Sequence, residues 1–292
     1  MKKILITGKN SYIGSSVEYW LSKYNVYDTT TLDLRNLDWK DYDFSEYDVV
    51  FHVAGIANFS KDISQKELYR QVNTQLAVDV AQKAKLSGVK QFIFMSSIIV
   101  YGDSTLNNRV ITASTEPSPN DIYGDSKWQA EQGLSQLADD NFKIAILRPP
   151  MIYGKGSKGN YPKLSKLAKL LPIFPDFYNQ RSMLHIDNLC EFIKQIIDKE
   201  KSGLFFPQNK EYFFPQNKEY VSTSELVREI AEVSHRKVFL TKAFNPVIRL
   251  MFKLDIVKKL FGNLVYEKSM SQYDFEYQIR DFRESVRLTE SK

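Results

Sequence analysis

Uninterrupted apolar runs recur through the first half of the chain, and each stops at a small or polar residue. Ile4-Leu5-Ile6 ends at Thr7-Gly8, Val49-Val50-Phe51 leads through His52 to Ala54-Gly55, and Phe92-Ile93-Phe94-Met95 ends at Ser96-Ser97. Short runs without alternation predict strands buried on both faces, as in parallel sheets. Two more strands are expected over residues 26–34 and 143–148. Between them lie stretches with helical spacing at 15–24, 67–86 and from Tyr123 to about Ala138. Strand, helix, strand, strand, helix, strand, helix, strand is the order of an α/β doubly wound parallel sheet. His52, inside an apolar run, reads as a core histidine.

The pattern changes after Gly154. Lys155-Gly156-Ser157-Lys158-Gly159-Asn160 is a basic loop, and residues 161–171 have helical spacing with Lys163, Lys166 and Lys169. The octapeptide at 205–212 is repeated without change at 213–220. Two copies are too few to stack as a solenoid, so the pair reads as a duplication. Phe205-Phe206 is expected to continue a buried strand from Leu204, with the second copy bulging out or forming a hairpin with the first; the reverse, with the second copy as the strand and the first looped out, is the alternative. Ser222-Thr223-Ser224-Glu225 has the form of a capping box opening a helix. Residues 246–261 are amphipathic and basic; packing against the C-terminal lobe is the favoured reading, a membrane-surface helix the other. Residues 269–290 are polar and read as a surface helix pair.

Composition narrows the function. The 292 residues are 43% hydrophobic and 26% charged, enough for a full core. The net charge of +5 is mild and spread out, which suits a small anionic substrate. No basic block with interleaved aromatics appears, so no nucleic-acid partner is expected. Cys190 is the one cysteine; it excludes an intramolecular disulfide and suits a reducing cytoplasm. The N-terminal apolar run is too short for a signal peptide and no run could span a bilayer, so a cytoplasmic protein is expected. No metal site is expected.

Chemistry gathers at a few places. A strand that turns through Gly8-Lys9-Asn10-Ser11-Tyr12-Ile13-Gly14 into a helix offers backbone N–H groups and a helix dipole to a pyrophosphate. Asp33, near the end of the second strand, suits the ribose 2′-hydroxyl of NAD, whereas Arg35 and Lys9 suit the 2′-phosphate of NADP. Asp33 and Arg35 could equally pair with each other. Tyr123 and Lys127, four apart, share a helix face, and an ammonium beside a phenol favours the phenolate.

These features together resemble the extended short-chain dehydrogenase/reductase family. They are the glycine turn (with Ser11 where the family has its middle glycine), Ser97 three residues before Val100-Tyr101-Gly102, and Tyr123-Gly124-Asp125-Ser126-Lys127. Leu147-Arg148-Pro149-Pro150 and Arg181-Ser182-Met183-Leu184-His185-Ile186-Asp187-Asn188-Leu189 complete the set. The likeness runs from Met1 to about Leu226. It implies a Rossmann-type dinucleotide-binding domain at 1–155, completed near 185–212, and a smaller C-terminal substrate-binding lobe at 156–184 and 213–292. It implies NADP as cofactor, with NAD the alternative. Gly8, Asn10, Ser11, Tyr12, Ile13 and Gly14 would hold it, with Asp33, Arg35, Ala54, Gly55, Tyr123 and Lys127. Catalysis would fall to Ser97, Tyr123, Lys127 and Asn73, and a UDP-sugar substrate to Ser97, Asn160 and Arg181. The strand end resembles bacterial surface-polysaccharide enzymes that reduce the 4-keto group of UDP-2-acetamido-2,6-dideoxy sugars. A UDP-sugar 4-epimerase with tightly held NAD needs the same residues, and a non-catalytic dinucleotide-binding sensor is the reading from another class. The family's sugar dehydratases carry two carboxyl groups where this chain has Ile98 and Ile99, so no dehydration is expected. A homodimer is left open.

Overall fold

A computed structural model describes residues 1–56, 62–199 and 210–291. Its centre is a six-stranded parallel sheet. Across it the strands run Lys210–Phe213, Lys143–Leu147, Gln91–Met95, Val49–His52, Lys2–Thr7 and Tyr27–Leu32. The order reverses at Lys2–Thr7, which pairs with the second strand on one side and the third on the other. In doubly wound sheets ligands bind beyond the carboxyl end of such a strand. Here that end is Thr7-Gly8.

The apolar runs explain the sheet. Val49–His52 and Gln91–Met95 are buried along their whole length. Leu5, Val50, Phe92 and Ile144 pack with Ala77, Val80, Ala81 and Leu134 from the flanking helices. Burying each large side chain contributes about 1.5–3 kcal/mol. His52 Nδ1 lies 2.9 Å from Thr7 Oγ1, and its ring stacks on Phe92 and Phe94 at 5.8 and 6.0 Å. Burial pushes its pKa down to about 3, so it stays neutral in the core.

The chain divides into two compact units. Unit 1 is 1–102, 117–149 and 189–215; unit 2 is 103–116, 150–188 and 216–292. In unit 2, Met151–Tyr153 pairs with Met183–His185 and Ile173–Pro175 with Phe239–Thr241. The helix Thr223–Val233 opens with the complete Ser222/Glu225 capping box. It shares a core with Tyr161, Leu164, Ile248, Phe261 and Val286.

Three expectations need correction. The first concerns the duplicated octapeptide: Phe205-Phe206 lies outside the described residues, and the sheet strand is Lys210–Phe213, spanning the join between the copies. The second copy is no bulge. Phe213 is fully buried and meets Phe192 edge-on at 5.8 Å. Asn217 Oδ1 accepts from His185 N at 3.0 Å and Asn188 Nδ2 at 2.9 Å, and Gln216 Nε2 donates to Ser271 Oγ at 2.9 Å. The second is the tail, where the expected helix pair is a 3₁₀ turn, Lys268–Ser271, and one helix, Phe282–Glu290, with Tyr277 buried between them. Tyr277 and Val286 supply the apolar anchors that a polar average conceals. The third is the 67–86 helix, which is α over Lys66–Tyr69, π over Arg70–Gln75 and α over Leu76–Leu86.

Candidate active site

The helix Ile122–Ser135 starts at Asp121, whose Oδ1 accepts from Gly124 N at 2.6 Å. Gly124 lets this helix lie against the turn that follows Ser97, since a Cβ there would meet Ile99 O at 2.9 Å. Ser97 caps the 3₁₀ turn Ile98–Tyr101, its Oγ accepting from Ile99 N at 3.3 Å. From that position its hydroxyl favours the ionised form of Tyr123.

Lys127 is buried one turn further on. Its Nζ donates to Met95 O at 2.8 Å and lies 4.6 Å from the centre of the Phe94 ring. Burial pulls its pKa down to about 8, partly offset by the Glu131 carboxylate. Tyr123 is pushed up to about 12, chiefly by burial, with the Ser97 hydrogen bond acting the other way. An ammonium lowering the phenol was expected. Instead Lys127 is turned to a carbonyl, and desolvation dominates at the tyrosine.

Asn73 is buried in the π turn. Its Oδ1 accepts from Ile56 N at 2.7 Å, and its Nδ2 donates to Ile56 O and Ser126 Oγ, both at 3.0 Å. Ser126 Oγ in turn donates to Tyr123 O at 2.8 Å. A Cβ on Gly55, whose φ is +159°, would meet Asn73 Oδ1 at 2.9 Å and Lys127 Nζ at 3.3 Å. Ala54-Gly55, Asn73, Tyr123 and Lys127 are thus brought together. A surface asparagine was the alternative for Asn73, and burial excludes it.

The glycine turn stands at the sheet's switch point. Gly8 has φ +104°, and a Cβ would meet Ala54 N at 3.0 Å. Asn10 takes φ 63°, Ser11 Oγ caps the helix Tyr12–Leu21 by accepting from Gly14 N at 3.1 Å, and Ile13 falls in its first turn. Ser11 thus uses its side chain on the helix end in the family's glycine position. A backbone that excludes side chains, followed at once by a helix N-terminus, fits a dinucleotide pyrophosphate. Asp33 and Arg35 pair with each other, Arg35 Nε donating to Asp33 Oδ1 at 2.9 Å. That guanidinium holds the carboxyl down to about 2.

The other two expected residues belong to unit 2. Asn160 is exposed at the start of the helix Asn160–Leu170. Arg181 Nη1 donates to Lys259 O at 2.6 Å, and burial lowers its pKa to about 10. Unit 2 also holds a cavity of about 720 Å³ lined by Phe177, Arg228, Asn245 and Asn263 among others. The buried Asn245 Oδ1 there has no hydrogen-bond partner.

Glu131 and Arg148 were missed as a pair. Arg148 Nη2 meets Glu131 Oε2 at 2.5 Å in the buried interior, and Arg148 Nη1 donates to Tyr101 OH at 2.6 Å. Ser96 Oγ donates to Glu131 Oε1. The network ties the residue before Ser97 to the helix carrying Tyr123. A carboxylate four residues after Lys127 and an arginine in the Leu147-Arg148-Pro149 strand end were the available signals.

A doubly wound sheet with a glycine turn at its switch point and a Ser–Tyr–Lys set defines a nicotinamide-dinucleotide-dependent enzyme. The chain belongs to the NAD dependent epimerase/dehydratase family, whose model matches residues 4–205. It is 32% identical to the UDP-glucose 4-epimerase of Vibrio cholerae over 90% of this chain and 86% of that one. It is 28% identical to the N-acetyl-alpha-D-glucosaminyl-diphospho-ditrans,octacis-undecaprenol 4-epimerase of Escherichia coli O157:H7, over 89% and 81%. Its fold matches a dTDP-4-dehydrorhamnose reductase from Clostridium acetobutylicum with a TM-score of 0.77 at 20% identity, over 98% and 97% of the two chains.

Proposed function

We propose that this protein is a 4-epimerase of a UDP-linked hexose that works with NAD. The observation carrying the reading is the helix that sets Tyr123 and the buried Lys127 one turn apart, with the Ser97 hydroxyl favouring the ionised Tyr123. Two relatives aligned over most of their length are named as 4-epimerases, which supports C4 as the reacting carbon. NAD, when bound, supplies the hydride acceptor and then the donor at that carbon. Tyr123 takes the C4 hydroxyl proton during oxidation and returns it during reduction, while Ser97 orients the same oxygen. With its pKa near 12, Tyr123 keeps its proton at neutral pH, which favours the donating half. Lys127 and Asn73, beside Gly55, would hold the nicotinamide ribose, and the N–H groups of Tyr12 and Ile13 the pyrophosphate. The ionised Asp33 suits the 2′-hydroxyl of NAD. Arg181, whose Nη1 donates to Lys259 O, is assigned to the substrate diphosphate, for which a guanidinium fork is suited. Ile98 and Ile99 offer no carboxyl group, so water is not eliminated.

A second reading is reduction of a UDP-4-keto-6-deoxy sugar with NADPH. It is favoured by Arg35, whose side chain is 79% exposed and would exchange its Asp33 partner for a 2′-phosphate. The test is purification without added coenzyme, followed by incubation with UDP-glucose and UDP-N-acetylglucosamine and NMR of the products. Interconversion at C4 by protein that keeps NAD through gel filtration is expected. Turnover only with added NADPH and a 4-keto sugar would replace epimerisation by reduction.

A further inference from the structure

The segment around the helix Asn245–Leu250 is apolar on two sides. Ile248, Val257 and Phe261 turn into the core of unit 2, with Phe252 and Leu260 packed against it. Val247 and Leu250 lie on the helix Asn245–Leu250, Met251 is its C-cap, and Leu254 is the extended residue before the helix Asp255–Phe261. They stay in solvent, Leu250 at 84% exposure. Ile256 continues the patch at 67%. Ile173 and Phe239, direct partners across a two-stranded sheet, are exposed as well. Asn245 Nδ2 joins the helix to the end of that sheet by donating to Asp176 O at 3.0 Å. Single exposed apolar residues are ordinary, but several gathered along one short segment mark an interaction surface.

Its charge indicates the partner. Lys242, Arg249 and Lys253 are exposed along the segment, and from Thr241 to Ile256 the one carboxylate is Asp255. Unit 2 as a whole holds 21 basic against 15 acidic side chains, whereas unit 1 holds 19 against 20. The protein's positive charge is therefore confined to the unit that bears the patch. A second copy is a poor occupant. A two-fold contact sets each patch against itself, bringing Lys242, Arg249 and Lys253 near their own counterparts, which like-charge repulsion opposes. An anionic lipid surface meets both requirements, since it takes up apolar side chains and attracts the cations around them. Among the described residues no helix is long and apolar enough to cross a membrane, so the contact is peripheral.

We propose that the outward patch Val247–Leu254, with Lys242, Arg249 and Lys253 at its margin, docks unit 2 on an anionic phospholipid surface. The test is sedimentation of the full chain with vesicles of phosphatidylcholine alone or with phosphatidylglycerol at a 7:3 ratio. Binding to the anionic vesicles should be about tenfold stronger or more, and should weaken as salt is raised. Lys253→Gln should weaken it about fivefold, and the double change Leu250→Ser, Leu254→Ser should weaken it further. All three proteins should keep the same melting temperature and the same turnover on a soluble substrate. Equal sedimentation with neutral and anionic vesicles, or undiminished binding by the double variant, would overturn the proposal. So would a concentration-dependent dimer that the double variant abolishes in a chain that ignores vesicles.

Discussion

Removing one copy of the octapeptide tests what the duplication does. Deleting 213–220 or 205–212 leaves the same chain, because the copies are identical. Everything from Phe213 onward is restored by the surviving copy, including the bonds of Gln216 and Asn217. What changes is the strand before it. Gly203 and Leu204 stand eight residues ahead of Glu211 and Tyr212 and would take their places. Losing Tyr212 removes a ring 4.2 Å from the Arg148 guanidinium, about 0.5–2 kcal/mol. A glycine in a strand costs about 0.5–1 kcal/mol more. Against this, Glu211 Oε2 is buried without a hydrogen-bond partner, and burial pushes its carboxyl up from 4.5 to about 7. The folded chain therefore keeps this proton where the unfolded chain releases it. The resulting stability is complete below about pH 4.5 and is lost as pH rises through about 7. Between pH 5 and 8 linkage gives about 2.5 kcal/mol, which partial exposure reduces to roughly 1–2 kcal/mol. The shortened chain should thus be the less stable by about 1–3 kcal/mol at pH 5, and the gap should close by about 1–2 kcal/mol at pH 8. Urea unfolding of both chains at the two pH values measures this. A gap that does not change with pH, or a shortened chain that does not fold, would refute the argument.

Tyr123→Phe should lower turnover by about 10² or more while coenzyme binding, followed by fluorescence titration, stays nearly intact; wild-type turnover would move the proton to another group. Glu131→Gln leaves the buried Arg148 without its counter-charge, and should cost about 3–5 kcal/mol in chemical unfolding. Arg35→Ala should weaken NADPH more than NADH in the same titration, since only NADPH carries a 2′-phosphate. Equal weakening would remove Arg35 from the adenosine ribose.

The buried strands were legible because both their faces are apolar, which leaves the run no other environment. Ser97, Tyr123 and Lys127 were legible because strand ends and helix spacing determine where they stand. The electrostatics were not, since the direction of Lys127 Nζ depends on Met95 O and the tyrosine pKa on how deeply the ring is enclosed. The octapeptide misled for a different reason. Identical copies carry no local information about which one enters the sheet, and that choice is made by distant partners such as Leu147 and Phe192. The tail was obscured because Tyr277 and Val286 are single anchors in polar surroundings.

The π turn at Arg70–Gln75 works as a phase shifter. Tyr69, Asn73 and Ala77 are spaced four apart and all buried, although an α-helix turns about 40° too far with every four residues. The wider turn absorbs that excess and holds the three on one line facing the helix Ile122–Ser135. One residue fewer between 70 and 75 would restore an unbroken α-helix, and by helix propensity alone nothing would be lost. Asn73 would then point away from Ile56 and Ser126. A pairwise comparison would score such a change as a single gap in a surface helix, while the site would have lost the amide that joins its two halves.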